Sequence, residues 1–247
     1  MSSKVIIGEK GVGFYIVEEF MTDNCWYYNK IDPIDRVYDK THPPFCPYCG
    51  RQLRDYVTFP LNSVMDIAKP YFCDMIYTLG SVYVTERFRD SFEKSGLKGI
   101  ENFREITLDK IKTHNGVRKA KLPEPPRYFM ADLIVDGATI DLKKSKAVFH
   151  RPEFCHYCMF PTQEPYERVD FGNMGLVKWD GYYIDQTRWN GNNIFVVLSY
   201  PIYFAVDQKF KDWFEENQFL PGCRFIPEQD YKDNYINEYM TNTYSFE

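Results

Sequence analysis

Four of the seven cysteines form two Cys-x-x-Cys pairs, Cys46/Cys49 and Cys155/Cys158. Two thiolates three positions apart on a tight turn can bind one side of a metal ion, and two such turns supply all four ligands of a tetrahedral site. A closed site of four sulfurs is typical of structural zinc, because it leaves no position for a water molecule. The spacing therefore predicts one structural zinc ion bound by these four thiolates.

The first pair permits a second interpretation. Cys46-Pro-Tyr-Cys49 is identical to the active-site motif of glutaredoxins, in which the motif opens an amphipathic helix directly after a buried strand. Here Pro-Pro-Phe precedes the motif at residues 43–45 and Gly50 follows it, a context that gives a helix poor support. Thiol redox chemistry and two metal-free pairs remain alternatives to zinc.

Three histidines, His42, His150 and His156, lie close to the pairs along the chain. Imidazole is also a common zinc ligand, so the sequence leaves open whether a histidine replaces one of the cysteines. Other catalytic patterns, such as a phosphate-binding Walker loop, a nucleophile elbow or His-Glu-x-x-His, are missing from the sequence. We therefore expect no catalytic residues and a protein that is not an enzyme.

The charge balance limits the kinds of partner. The chain has 30 Lys and Arg against 35 Asp and Glu, a formal net charge of −5. Non-specific nucleic-acid binding requires a basic surface, so no nucleic-acid partner is expected, whereas a basic protein partner is permitted. No apolar run approaches the roughly 18 residues that span a membrane, and no signal-peptide pattern is found. These features predict a cytoplasmic protein.

The elements that must position the cysteines include an internal repeat. Val84-Thr-Glu-Arg-Phe-Arg-Asp-Ser-Phe-Glu93 and Val206-Asp-Gln-Lys-Phe-Lys-Asp-Trp-Phe-Glu215 share five of ten residues at equal offsets. Thr85 and Asp207 are residue types that favour the N-cap position of a helix. In each copy two phenylalanines recur at a spacing of four, which places them on one helix face. The pattern predicts two related amphipathic helices.

The repeat predicts the organisation of the chain. We expect equivalent strand–helix–strand units at residues 82–106 and 204–226, with residues 107–126 as a polar connection. The N-terminal half would span residues 1–112 and the C-terminal half residues 127–247, each with one knuckle. The predicted fold is α+β, with short mixed or antiparallel strands, few helices, and a zinc site that bridges the two related halves.

Two further segments carry specific predictions. Asp136-Gly137 is a strong turn signal, so residues 128–142 are expected to form a hairpin. Near the C-terminus, Tyr231, Tyr235 and Tyr239 recur at a spacing of four and would line one face of a helix. An acidic, Tyr-lined face suits a basic partner, although the same stripe could pack on the core of the protein. The candidate partner-binding residues are Tyr231, Asp233, Tyr235, Glu238 and Tyr239.

Two of these motifs resemble a known family. The Cys46-Pro-Tyr-Cys-Gly50 knuckle, with the second pair, resembles the bacterial immunity proteins named for a double CxxCG motif. The segment Val82-Tyr-Val-Thr-Glu-Arg-Phe-Arg-Asp-Ser-Phe-Glu-Lys-Ser-Gly-Leu-Lys-Gly99 is similar to a helix segment of immunity families in polymorphic toxin systems. The second knuckle departs from the motif, with Met159 in place of Gly. The resemblance implies a non-catalytic antitoxin whose partner is a cognate toxin protein.

Overall fold

The computed structural model describes residues 13–19, 29–33, 37–38, 45–50, 57–58, 62–78, 80–149, 155–158, 176–198, 204–234 and 244–245. The helices in these ranges are α1 (Glu86–Ser95) and α2 (Gln208–Glu216), with a 3-10 turn at Lys119–Lys121. The strands are β1 (Phe14–Glu19), β2 (Asn29–Pro33), β3 (Val37–Tyr38), β4 (Val57–Thr58), β5 (Asn62–Ile67), β6 (Met75–Thr78), β7 (Ser81–Thr85), β8 (Ile100–Thr113), β9 (Tyr128–Leu133), β10 (Val148–Phe149), β11 (Leu176–Asp180), β12 (Ile194–Val196), β13 (Phe204–Asp207), β14 (Pro221–Pro227), β15 (Lys232–Asn234) and β16 (Tyr244–Ser245).

One large sheet dominates the architecture. Its ten strands lie in the order β12-β13-β1-β14-β6-β7-β9-β8-β5-β2, and its pairs are antiparallel except β14–β6 and β5–β8. A smaller sheet has the order β15-β11-β10-β16, and β3 pairs with β4. The predicted α+β class with few helices is confirmed. No helix in the described ranges is both long and apolar enough to cross a membrane.

Both predicted helices form for the expected local reasons. The Thr85 hydroxyl accepts the backbone N–H of Phe88, and the Asp207 carboxylate accepts that of Phe210. Each cap satisfies one of the N–H groups that lack a partner within the first helical turn. Helix α1 ends at Gly96, whose φ of 71° is accessible to glycine at little steric cost.

The two helices belong to units with the same strand arrangement. The order β6-β7-β9-β8 around α1 matches the order β12-β13-β1-β14 around α2. The registers agree as well: Thr85 lies opposite Tyr128 on the neighbouring strand, and Asp207 lies opposite Phe14. Residues 82–106 and 204–226 therefore adopt equivalent strand–helix–strand structures, as the repeat predicts.

The strands of these units pair across the predicted division of the chain. In the sheet order of the α1 unit the third strand is β9, which follows the predicted connection along the chain. The third strand in the sheet order of the α2 unit is β1, which lies near the N-terminus. The boundaries at residues 112 and 127 remain a prediction. The two segments are interleaved in one sheet, so each unit is completed by a strand that is distant along the chain.

The two units meet at glycines. A Cβ at Gly99 would lie 1.7 Å from the carbonyl oxygen of Ile194, and a Cβ at Gly222 would lie 2.9 Å from that of Met75. These contacts place the start of β8 against β12, and the start of β14 against β6. Only a residue without a side chain fits so close to a neighbouring backbone, so each glycine permits one unit to join the other.

Two predictions about the middle of the chain are wrong. Residues 107–113 are not part of a loop: β8 continues to Thr113 and pairs in parallel with β5. Residues 128–142 do not form a hairpin, because β9 pairs with β7 and β8 while Ile140 bridges Ile184. The Asp136 carboxylate instead accepts the N–H groups of Ala138 and Asn190, so this turn fixes a neighbouring loop.

Among the described residues, three apolar clusters pack against the large sheet. Helices α1 and α2 pack together on one face, where the Phe88 and Phe210 rings lie 6.3 Å apart. A second cluster, which includes Ile76 and Tyr83, covers the other face of the α1 unit. The third, on the other face of the α2 unit, includes Phe14 together with Cys46, Cys155 and Cys158. The cysteine pairs are thus built into the core of the α2 unit.

Candidate metal centre

The first Cys-x-x-Cys pair forms a tight turn. Residues 47–49 are the turn itself, and the backbone N–H of Gly50 donates to the Cys46 carbonyl at 2.9 Å. Gly50 has a φ of 70°, a conformation that a side chain disfavours. This glycine closes the turn and directs both thiols to the same side. We call residues 46–49 the first knuckle.

The second pair, residues 155–158, forms the second knuckle, and its turn covers residues 156–158. Arg188 holds the turn from outside: one guanidinium nitrogen, Nη2, donates to the Tyr157 carbonyl at 2.8 Å, and Nη1 donates to the His156 carbonyl at 3.4 Å. The guanidinium also lies 5.1 Å from the centre of the Tyr157 ring. A side chain from a loop that is distant in sequence therefore contacts the backbone of the second knuckle.

The two knuckles bring four sulfurs together. The four Sγ atoms lie within 4.8 Å of one another, with Cys46 3.7 Å from Cys155 and Cys49 3.6 Å from Cys158. A tetrahedron with zinc–sulfur bonds of about 2.3 Å has sulfur–sulfur edges of about 3.8 Å. The four predicted ligands are thus arranged as a metal site. The cysteines that face each other across the two knuckles lie 109 positions apart in sequence.

The knuckles also contact each other through their tyrosines. Tyr48 and Tyr157 occupy the same position within the two motifs, and their ring centres lie 5.1 Å apart. Tyr48 is 78% exposed and Phe45 is 52% exposed, so one edge of the cysteine cluster reaches the surface. Cys49 is exposed, whereas the other three cysteines are buried.

The surroundings of Cys46 favour its charged form. Burial raises the pKa of this thiol, but hydrogen bonds from the backbone of Cys49 and Tyr48 outweigh it, and so the pKa falls to about 7. Contacts with the Cys49 and Cys155 side chains contribute to this lowered pKa. A thiolate is the form that binds metals, so a lowered pKa reduces the free-energy cost of deprotonating Cys46 for metal binding.

The geometry differs from that of a glutaredoxin-like site. In that arrangement the first cysteine opens a helix, but here residues 47–49 are a turn that ends at Gly50. A second pair of thiols also lies against the first. The arrangement of Cys46 and Cys49 is therefore that of a knuckle.

His156 is not part of the group of candidate metal ligands. His156 is exposed, and the only His, Cys, Asp and Glu group that could hold a metal within the described ranges consists of the four cysteines. His42 and His150 lie outside those ranges. Within the described part of the chain, the donor set is all sulfur.

The predicted C-terminal surface is only partly described. Tyr231 is buried, 6% exposed, and packs on Trp179 with ring centres 6.2 Å apart. The predicted helix is wrong at its start, because Lys232–Asn234 is strand β15 and Asp233 pairs with Trp179. Tyr231 thus follows the core-packing alternative. Tyr235, Glu238 and Tyr239 lie outside the described residues, and their role in partner binding remains a prediction.

Sequence reasoning missed Arg188. It lies in a polar loop, residues 185–190, far from both cysteine pairs in sequence, and no local pattern marks it. Its hydrogen-bond partners in the second knuckle are backbone carbonyls, which every residue carries, so residue types do not reveal these hydrogen bonds. Only the folded arrangement brings it to the second knuckle.

Comparison with known proteins gives no assignment: the sequence matches no protein-family model and no curated protein.

Proposed function

We propose that the four cysteines bind one structural zinc ion. The observation that carries this proposal is the pair of sulfur–sulfur distances, 3.7 and 3.6 Å, which agree with the edge of a zinc–thiolate tetrahedron. Bound zinc would use all four thiolates and supply a cross-link between the two knuckles. It would stabilise the folded chain, because metal binding to a site that is absent from the unfolded state adds to folding free energy.

The proposed activity is immunity: the chain binds a cognate bacterial toxin protein in the cytoplasm and neutralises it without catalysis. The support is the resemblance of the CPYCG knuckle and of residues 82–99 to immunity proteins. In the fold, residues 82–99 form most of β7 and all of α1, and Phe88 and Phe92 are buried there. These buried rings contribute to the framework of the fold.

The test is protection in a bacterial host. A candidate toxin domain from a neighbouring gene is expressed with and without this chain, and growth is measured. The proposal predicts restored growth, and a stable complex of the two purified proteins on size-exclusion chromatography. A toxin domain from an unrelated system is the matched control and should still arrest growth. A folded, zinc-loaded chain that neither protects nor binds would contradict the immunity proposal and favour a zinc-stabilised scaffold or regulatory protein.

The thiol-redox alternative has a separate test. The zinc-loaded chain is assayed for disulfide reduction with glutathione as the electron donor, and a glutaredoxin serves as the positive control. We expect no turnover, because zinc occupies the thiolates that would have to attack a disulfide. Turnover that requires Cys46 and is retained at full zinc occupancy would contradict the structural role of the site.

A further inference from the structure

The two knuckles are held in different ways. The first is closed by its own backbone, through the hydrogen bond from Gly50 to Cys46. The second has Met159 after Cys158 in the sequence, where the first has glycine. Arg188 donates to the carbonyls of the two residues between the cysteines of the second knuckle.

Arg188 is itself fixed before it reaches the knuckle. Its backbone N–H donates to the Asp185 carbonyl at 3.2 Å, and the Asp185 carboxylate accepts both the N–H and the hydroxyl of Thr187. Its Nη1 also donates to the buried Thr139 hydroxyl at 3.1 Å. The guanidinium is therefore presented by a loop with little freedom, which lowers the entropy cost of each contact that it makes.

The same side chain links the knuckles to each other. The guanidinium lies against the Tyr157 ring, and that ring contacts Tyr48 of the first knuckle. A zinc ion with four thiolates carries a formal charge of −2, so a nearby cation is favoured electrostatically. Residues that orient metal ligands through hydrogen bonds affect metal binding although they do not touch the metal.

We infer that Arg188 is a positioning residue of the metal centre, which holds the second knuckle so that Cys155 and Cys158 complete the site begun by Cys46 and Cys49. This inference rests on the proposed zinc site. It predicts that loss of the guanidinium weakens zinc binding while the protein stays folded. It also predicts that the forked shape of the side chain matters as well as its charge.

The experiment uses the full chain and zinc alone as the probe, with affinity measured by competition against a chromophoric chelator. Arg188→Met keeps the apolar stem and removes the donors and the charge, and Arg188→Lys keeps the charge and removes the fork. The matched control is Arg127→Met, because Arg127 also lies over an aromatic ring, that of Phe129, but in the unit of α1. Cobalt(II) spectra report whether tetrahedral thiolate coordination is retained.

We expect Arg188→Met to bind zinc about 10–100-fold more weakly, Arg188→Lys to fall between it and the native chain, and Arg127→Met to match the native chain. A purely structural role would lower the thermal midpoint without changing zinc affinity. If folded Arg188→Met binds zinc as tightly as the native chain, the inference is overturned. If Arg188→Met does not fold, a zinc affinity of Arg188→Lys equal to that of the native chain overturns the inference. A native chain that binds no zinc would overturn both this inference and the zinc proposal.

Discussion

In both the α1 and the α2 unit, one carboxylate lies where the residue before the first strand meets the N-cap of the helix. The two units carry this carboxylate on different residues of that pair. In the α1 unit the carboxylate belongs to Asp74, directly before the first strand, and accepts a hydrogen bond from the capping Thr85 hydroxyl at 2.7 Å. In the α2 unit Asn193 directly precedes the first strand, and its amide donates to the capping Asp207 carboxylate at 2.8 Å. The backbone geometry is the same, and the acceptor and donor are exchanged.

The exchange changes how the charge is compensated. Arg87 donates to Asp74 through two nitrogens, at 2.5 and 3.3 Å. At the position equivalent to Arg87, the α2 unit has Lys209, and Asp207 has the neutral Asn193 amide beside it. Burial raises the pKa of Asp207, and hydrogen bonds from Phe210 and Asn193 offset this only in part. A repeat can therefore preserve geometry while its electrostatics diverge.

The largest expected effect concerns the shared aromatic core. Phe88→Ala and Phe210→Ala should each lower the free energy of unfolding by about 3–5 kcal/mol, since both rings are fully buried and each deletion leaves a cavity. Chemical denaturation measures both. Because the two positions are equivalent, their costs should agree within about 1 kcal/mol. A loss at only one position would show that the two units do not share this core equally.

Alanine substitutions at the two glycines where the units meet should destabilise the protein to different extents. Gly99→Ala should cost about 2–4 kcal/mol, because Gly99 has a φ of 119° and its new Cβ would overlap a backbone carbonyl. Gly222→Ala should cost about 1–3 kcal/mol, because it meets a longer contact. Thermal unfolding ranks the two. Gly116→Ala, where φ is also positive but nothing lies within 4 Å, separates strain from overlap. If all three variants melted alike, close approach would not explain the glycines.

Removing the charge at Asp74 should cost more than removing it at Asp207. Asp74→Asn weakens charge-assisted bonds with Arg87, and we expect a loss of about 1.5–3 kcal/mol. Arg87→Met, which removes the partner cation, should have a smaller effect because Arg87 is 55% exposed. A double-mutant cycle measures the coupling. Additive losses would mean that the pair is not the source of the difference.

Asp207→Asn should have the smallest effect, within about 1 kcal/mol at pH 7, since asparagine is also a good N-cap. The pKa of Asp207 is raised in the folded protein, so its protonated form contributes to the free energy of unfolding. This contribution is fully present below the pKa of Asp207 in the unfolded chain. It is lost as pH rises through the folded pKa. The native chain should therefore lose stability relative to Asp207→Asn as pH rises from the ordinary aspartate pKa through the raised pKa of folded Asp207. The opposite slope would contradict the assignment of the charge cost to Asp207.

The helices and the cysteine cluster could be predicted from the sequence because their determinants are local. Thr85 and Asp207 are capping residues, the phenylalanines repeat at helical spacing, and each knuckle is contained in four residues. The prediction that the two knuckles lie together followed from the chemistry of four thiolates, which suit one tetrahedral metal ion. These features depend on residue type and short spacing, which a sequence displays directly.

The missed features depend on distant partners. The end of β8 carries charged residues such as Asp109 and Lys110, and it becomes a strand because β5 lies beside it. The Asp136-Gly137 turn holds a loop rather than a hairpin. Tyr231 fits the spacing of a helix stripe, but it precedes a strand that pairs with β11. In each case tertiary pairing overrides the local pattern.

Zinc stoichiometry of the purified full chain is the measurement that tests the central claim most directly. The account predicts one zinc per chain, its loss in Cys46→Ser together with strong destabilisation, and its retention in Cys223→Ala, since Cys223 lies in the helix-side core away from the knuckles. A native chain without zinc, whose fold is unchanged by a strong chelator, would contradict the account.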